Sequence, residues 1–134
     1  MKQPYLDHIG IAVRSLDEAL AFYQDALGLT LQGRVEVEHE NVRVAMLPAG
    51  QPRIELLEAT APESAIAKFI ERRGEGLHHI ALKVPDLAAA VERLKQRGMR
   101  LVSEPVEGGA EGYRYVFVHP KSARGVLLEL IEEA

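Results

Sequence analysis

Four polar residues interrupt short apolar segments of this chain: His8 in LDHIGIAV, Glu55 in RIELLE, His79 in LHHIALKV and Glu129 in VLLELI. Side chains alternate along a strand, so Ile9, Ile11 and Val13 share one face while His8, Gly10 and Ala12 share the other. The same alternation sets Ile80, Leu82 and Val84 against His79, Ala81 and Lys83. Each imidazole therefore has very small neighbours and room beside it. A carboxylate inside an apolar strand must be paired, protonated or coordinated, and two histidines with two glutamates satisfy one another through a divalent ion. The chain has 0 Cys, which excludes thiolate nucleophiles and disulfide frameworks and leaves a nitrogen and oxygen ligand set. Such a set suits Co, Ni, Mn, Zn or Fe without choosing among them.

The elements that must position these residues form an internal repeat. LDHIGIAVRSLDEAL from Leu6 matches LHHIALKVPDLAAAV from Leu77 with a shift of 71, and IELL at Ile54 meets LELI at Leu128 with a shift of 74, placing Glu55 on Glu129. In each half a β-rich run leads into a helix. Ser15 opens S-L-D-E, with Glu18 three residues on, and Asp86 is the corresponding cap. Leu16, Ala19, Leu20 and Tyr23 recur at helical spacing, as do Leu87, Ala90, Val91 and Leu94, and Gly28 and Gly98 stop the two helices. Strands are expected around 31–38, 42–47 and 53–58 in the first half, and around 100–103, 113–119 and 126–132 in the second. The unit is βαβββ, twice. Two modules, about 4–59 and 76–133, make a single domain over residues 1–134, with Ile66, Phe69 and Ile70 marking a linking helix over 62–73.

The remaining histidines read as structural: His78 has the opposite strand parity to His79, His39 lies in a polar connection, and His119 precedes Pro120 at a strand end. Gly108-Gly109-Ala110-Glu111-Gly112 is no dinucleotide fingerprint, because no helix follows it; it is a loop suited to a lid or pocket wall.

With 134 residues, 47% hydrophobic and 27% charged, the composition is that of a globular domain with a real core. A net charge of -4 without a basic run gives no electrostatic footprint for nucleic acid. No long apolar segment suggests export or membrane insertion, so a cytoplasmic location and a small-molecule partner are expected.

Paired βαβββ modules with a His…Glu…His…Glu pattern resemble the vicinal oxygen chelate (glyoxalase-like) superfamily. Within it RIELLEAT, SAIAKFIERRGEGLHHIALKV and HPKSARGVLLEL look like the methylmalonyl-CoA epimerase family, and the likeness runs from Leu6 to Glu132. It implies an α+β fold whose two repeats form an open, metal-containing β-barrel-like cleft, with His8, Glu55, His79 and Glu129 as metal ligands and Co2+ as the ion, ahead of Ni2+, Mn2+ or Zn2+. It implies epimerisation of (2R)/(2S)-methylmalonyl-CoA at C2 and a homodimer; the repeat relation of Glu55 and Glu129 makes them the simplest pair of proton-transfer groups, one as base and one as conjugate acid. Some members have Gln at the position of Glu55 and a carboxylate at the position of Val44, which here can carry no proton. Because coenzyme A carries several phosphate charges and this chain is acidic, the local cluster PKSARG, with Lys121, Ser122 and Arg124, is the expected grip for it, followed by Arg72, Arg73 and Arg114. The competing readings are a glyoxalase I-like isomerase, an extradiol dioxygenase, and a metal-free binding protein for small molecules such as antibiotics.

Overall fold

A computed structural model describes residues 3–110 and 112–133. The chain divides into two compact units, residues 8–78 and residues 79–133 together with the N-terminal stretch through Asp7.

The unit of residues 8–78 is built on four strands. β1 (Tyr5–Ala12) runs parallel to β4 (Arg53–Ala59), β3 (Val42–Pro48) lies antiparallel to β4, and β2 (Gly33–Val37) lies antiparallel to β3. A helix returns from β1 across one face. It starts where expected, because Ser15 accepts the Glu18 N–H in extended backbone geometry, an N-cap that satisfies a donor left open by the helix. The regular part, α1 (Leu16–Leu20), is short, and residues Ala21–Ala26 continue it as a π-helix, in which the Leu27 N–H reaches back to the Phe22 carbonyl. The expected single α-helix is therefore wound more widely in its second half, and Gly28, at φ +93°, ends it. Val13, Leu16, Leu20, Ala45, Leu47 and Leu56 pack together beneath it; each fully buried leucine is worth about 2 kcal/mol relative to exposure. Glu58 ties the helix start to the sheet, accepting the Leu16 N–H at 2.6 Å and pairing with Arg43 at 3.0 Å. The linking helix α2 (Ala65–Arg73) begins three residues later than expected, because Ser64 caps it by accepting the Ile66 N–H.

In the second unit β5 (Gly76–Val84) lies parallel to β7 (Leu128–Glu132), and β6 (Tyr115–Val118) lies antiparallel to β7. Asp86 caps α3 (Leu87–Gln96) through the Ala89 N–H. The chain turns out of α3 at Gly98, φ +75°, where the Met99 N–H bonds the Leu94 carbonyl. Val84, Leu87, Ala90, Val91, Val116, Val118 and Leu130 form the core here. The strand expected over 100–103 does not form. Leu101 and Val106 make only isolated bridges to Val118 and Tyr115, and Pro105 between them has no N–H to donate. The strand expected over 113–119 is shorter at both ends, and the one expected over 126–132 is shorter at its start. Among the described residues, no helix is long and apolar enough to cross a membrane.

Candidate functional site

Strand register brings each sequence-predicted histidine to its own half's glutamate. In the first unit, parallel pairing of β1 and β4 sets Gly10 opposite Glu55 and Arg53 opposite His8. In the second, β5 and β7 set Ala81 opposite Glu129. A very small residue of each histidine strand, Gly10 or Ala81, thus stands across from the carboxylate, which leaves that side chain space to turn back toward the imidazole two positions away. His8 Nδ1 lies 3.3 Å from Glu55 Oε2, with side chains 5% and 4% exposed, and His79 Nε2 lies 3.1 Å from Glu129 Oε1, with side chains 6% and 12% exposed. The two halves use different imidazole nitrogens toward their carboxylates.

The surroundings differ too. Arg53 Nη2 donates to Glu55 Oε2 at 2.9 Å, while the second pair has an aromatic wall: the Phe117 ring meets His79 edge-on at 5.5 Å, and Tyr115 meets Phe117 at 6.0 Å. On the β3 side of Glu55, Val44 is buried, and its partner in register is Leu57. Val44 occupies the same sheet face as Glu55, two register positions along, and supplies only hydrocarbon there. Lys83 shares the sheet face of His79; its Nζ lies 3.8 Å from the buried Asp7 and 4.6 Å from the centre of the Tyr113 ring. A cavity of about 280 Å3 lined by Ile11, Val13, Glu18, Ala19, Tyr23, Glu75 and Gly76 opens on the opposite face of β1 from His8, and it belongs to the helix packing rather than to the pair.

The other histidines take structural positions. His78 meets Phe69 edge-on at 4.9 Å, and His39 is exposed beside Glu40. His119 Nδ1 accepts the Lys121 N–H at 3.0 Å. Its pKa is lowered, first by burial and then by the charges of Arg100 and Lys121, which keeps that nitrogen able to accept. In the PKSARG turn, Lys121 and Arg124 are exposed, Arg124 adopts φ +59°, and the Ser122 hydroxyl accepts the Arg100 N–H at 2.8 Å. Arg114, the reserve candidate for an anion grip, is engaged with Glu132 at 2.8 Å. In the glycine loop, Gly109 packs against the Tyr115 ring, where a Cβ would come within 3.1 Å of it; Glu111 of that loop lies outside the described residues.

Sequence reading missed Arg53. Its signal was present, since it precedes Glu55 by two residues and so falls on the same strand face.

The pattern of the glyoxalase/bleomycin resistance protein/dioxygenase superfamily matches residues 7–117. The chain belongs to this superfamily. Within it, it groups with the methylmalonyl-CoA epimerases. It is 39% identical to the human mitochondrial methylmalonyl-CoA epimerase over 93% of this chain and 72% of that protein. It is 38% identical to the ethylmalonyl-CoA/methylmalonyl-CoA epimerase of Cereibacter sphaeroides over 93% of this chain and 95% of that one. The crystal structure of methylmalonyl-CoA epimerase from Mycobacterium tuberculosis matches with 42% identity and a TM-score of 0.90 over 96% of this chain and 87% of that one. The α+β fold that the resemblance implied is the fold of this family.

Proposed function

We propose that this chain interconverts the (2R) and (2S) epimers of methylmalonyl-CoA, with one divalent ion held jointly by His8, Glu55, His79 and Glu129. The observation that carries this reading is the pair of buried histidine–carboxylate contacts at repeat-related positions, in a chain whose relatives at nearly 40% identity are named as epimerases. Imidazole nitrogen and carboxylate oxygen without sulfur fit a first-row divalent ion without choosing among them; the family resemblance puts Co2+ first and Ni2+, Mn2+ or Zn2+ next. Such an ion, when bound, supplies Lewis acidity at the thioester oxygen and so lowers the cost of removing the C2 proton.

The chain's own groups move that proton. C2 lies between the thioester and a carboxylate, and inversion requires that its proton leave from one face and another arrive on the opposite face. Glu55 and Glu129 are related by the repeat, and we assign one as base and the other as conjugate acid. Val44 removes the third-strand alternative. Buried Val42, Val44 and Leu57 keep water from the Glu55 side of the sheet, which strengthens electrostatic interactions there. In this reading residues 1–134 act as one domain of two modules.

Incubation with (2R)-methylmalonyl-CoA in D2O tests the reading. Deuterium is expected at C2 together with the (2S) epimer. Isomerisation of a glutathione hemithioacetal without C2 exchange would move the chain to glyoxalase chemistry, and a purified chain free of metal and without either activity would move it to the metal-free small-molecule binding proteins.

The same assay checks how the coenzyme A tail is held. We assign this to Lys121, Ser122 and Arg124, supported by the exposure of both cations in the turn that leads into β7 and Glu129. Lys121→Ala with Arg124→Ala is expected to raise KM several-fold with kcat nearly unchanged, because remote contacts bind ground and transition states alike. The effect is expected to be larger at low salt; an unchanged KM there removes the assignment.

We also propose a homodimer, since edge strands are ordinarily covered. Sedimentation at micromolar concentration is expected to give twice the chain mass, and a monomeric mass would refute it.

A further inference from the structure

Arg53 has no part in the proton transfer described above, yet its guanidinium donates to a site carboxylate. The Arg53–Glu55 contact is 2.9 Å, with side chains 13% and 4% exposed, and His8 Nδ1 lies 3.3 Å from the same Glu55 oxygen. One carboxylate oxygen is thus held between an imidazole and a guanidinium, and Arg53 stands directly opposite His8 in the β1–β4 register. The other half is built differently: the shift of 74 that brings Glu55 onto Glu129 brings Arg53 onto Leu127. The arginine is therefore a property of the first half rather than of the repeat.

A buried carboxylate without a counter-charge pays a heavy desolvation penalty, and an amide of the same shape does not. We propose that Arg53 is a positioning residue for Glu55: it lets the first half carry a carboxylate, rather than a neutral amide, by supplying its counter-charge and holding it turned toward His8 before any ion arrives. This rests on the reading of Glu55 as a metal ligand, and it explains why an arginine is buried beside a group that must also face a cation.

The test is a double-substitution cycle on the full chain after treatment with a chelator, read by thermal unfolding. Arg53→Met keeps much of the side-chain volume and removes the charge. In the chain with Glu55 it is expected to lower Tm by roughly ten degrees, as breaking a buried charge pair does, and Arg53→Lys is expected to restore most of that loss. In the Glu55→Gln background, where the guanidinium already lacks its anion, Arg53→Met is expected to leave Tm unchanged or to raise it. Saturating Co2+ is expected to raise the Tm of Arg53→Met by more than that of the unsubstituted chain, because the ion replaces the lost counter-charge.

An equal drop in both backgrounds, or no drop in either, would show that Arg53 packs without positioning a charge and would overturn the proposal. Failure of both Arg53→Met and its combination with Glu55→Gln to fold would overturn it in the same way. The cycle reads no turnover, so an absence of epimerase activity leaves it standing. Conversely, charge coupling without any Co2+ effect would sink Glu55 as a ligand while keeping the Arg53–Glu55 pair.

Discussion

His79→Ala is expected to leave a folded chain that binds Co2+ at least roughly 100-fold more weakly and epimerises methylmalonyl-CoA at about a hundredth of the wild-type rate or less. The imidazole is 6% exposed and lies 3.1 Å from Glu129, so its removal deletes a nitrogen donor and takes from Glu129 the group that orients it. Phe117 meets the ring edge-on at 5.5 Å, and that contact is lost as well. His8→Ala is expected to act in the same direction but with a smaller effect on its carboxylate, because Arg53 still holds Glu55. Metal content after dialysis, measured beside circular dichroism and C2 exchange, separates loss of the ion from loss of the fold. A fully metallated, fully active variant at either position would remove that histidine from the ligand set.

The parts of this site that were legible in the sequence are those set by short-range periodicity. Strand alternation placed His8 with Gly10 and His79 with Ala81, and the register of β1 on β4 and β5 on β7 then sets these small residues opposite Glu55 and Glu129. Caps were legible because Ser15 and Asp86 act within three residues. What escaped depends on hydrogen bonding that side-chain pattern does not encode. The apolar spacing of Leu16, Leu20 and Tyr23 suits an α-helix, and it does not announce that the Leu27 N–H will pass its usual acceptor for Phe22. Residues 100–103 hold the β-prone pair Leu101 and Val102, but Pro105 follows, and the segment gains only isolated bridges. Arg53 escaped because a charged residue at a strand start reads as solvated until the register shows what stands opposite.

Replacing each glutamate by glutamine gives the sharpest separation of ligand from acid or base, since an amide oxygen still coordinates but cannot take a proton. Glu129→Gln and Glu55→Gln are each expected to retain the ion and to lose epimerisation by roughly 10²–10⁴-fold, the usual contribution of a positioned proton-transfer group. Their exchange patterns are expected to be reciprocal. With one carboxylate gone, the other still removes the proton from the epimer whose C2–H points toward it, and it returns a solvent-derived proton to the same face. One variant should therefore label only (2R)-methylmalonyl-CoA in D2O, the other only the (2S) epimer, and neither should invert. The environments predict which substitution the fold tolerates better. Glutamine at 129 replaces a carboxylate that faces His79 and a hydrocarbon wall, whereas glutamine at 55 leaves the Arg53 guanidinium without its anion, 2.9 Å from an amide. Mass spectrometry of substrate recovered from each epimer reads the label directly. If Glu55→Gln inverts both epimers at the wild-type rate, Glu55 is a ligand alone and the two-carboxylate scheme fails at that residue. If both variants label the same epimer, the two groups lie on one side of C2, and their assignment as base and conjugate acid is wrong.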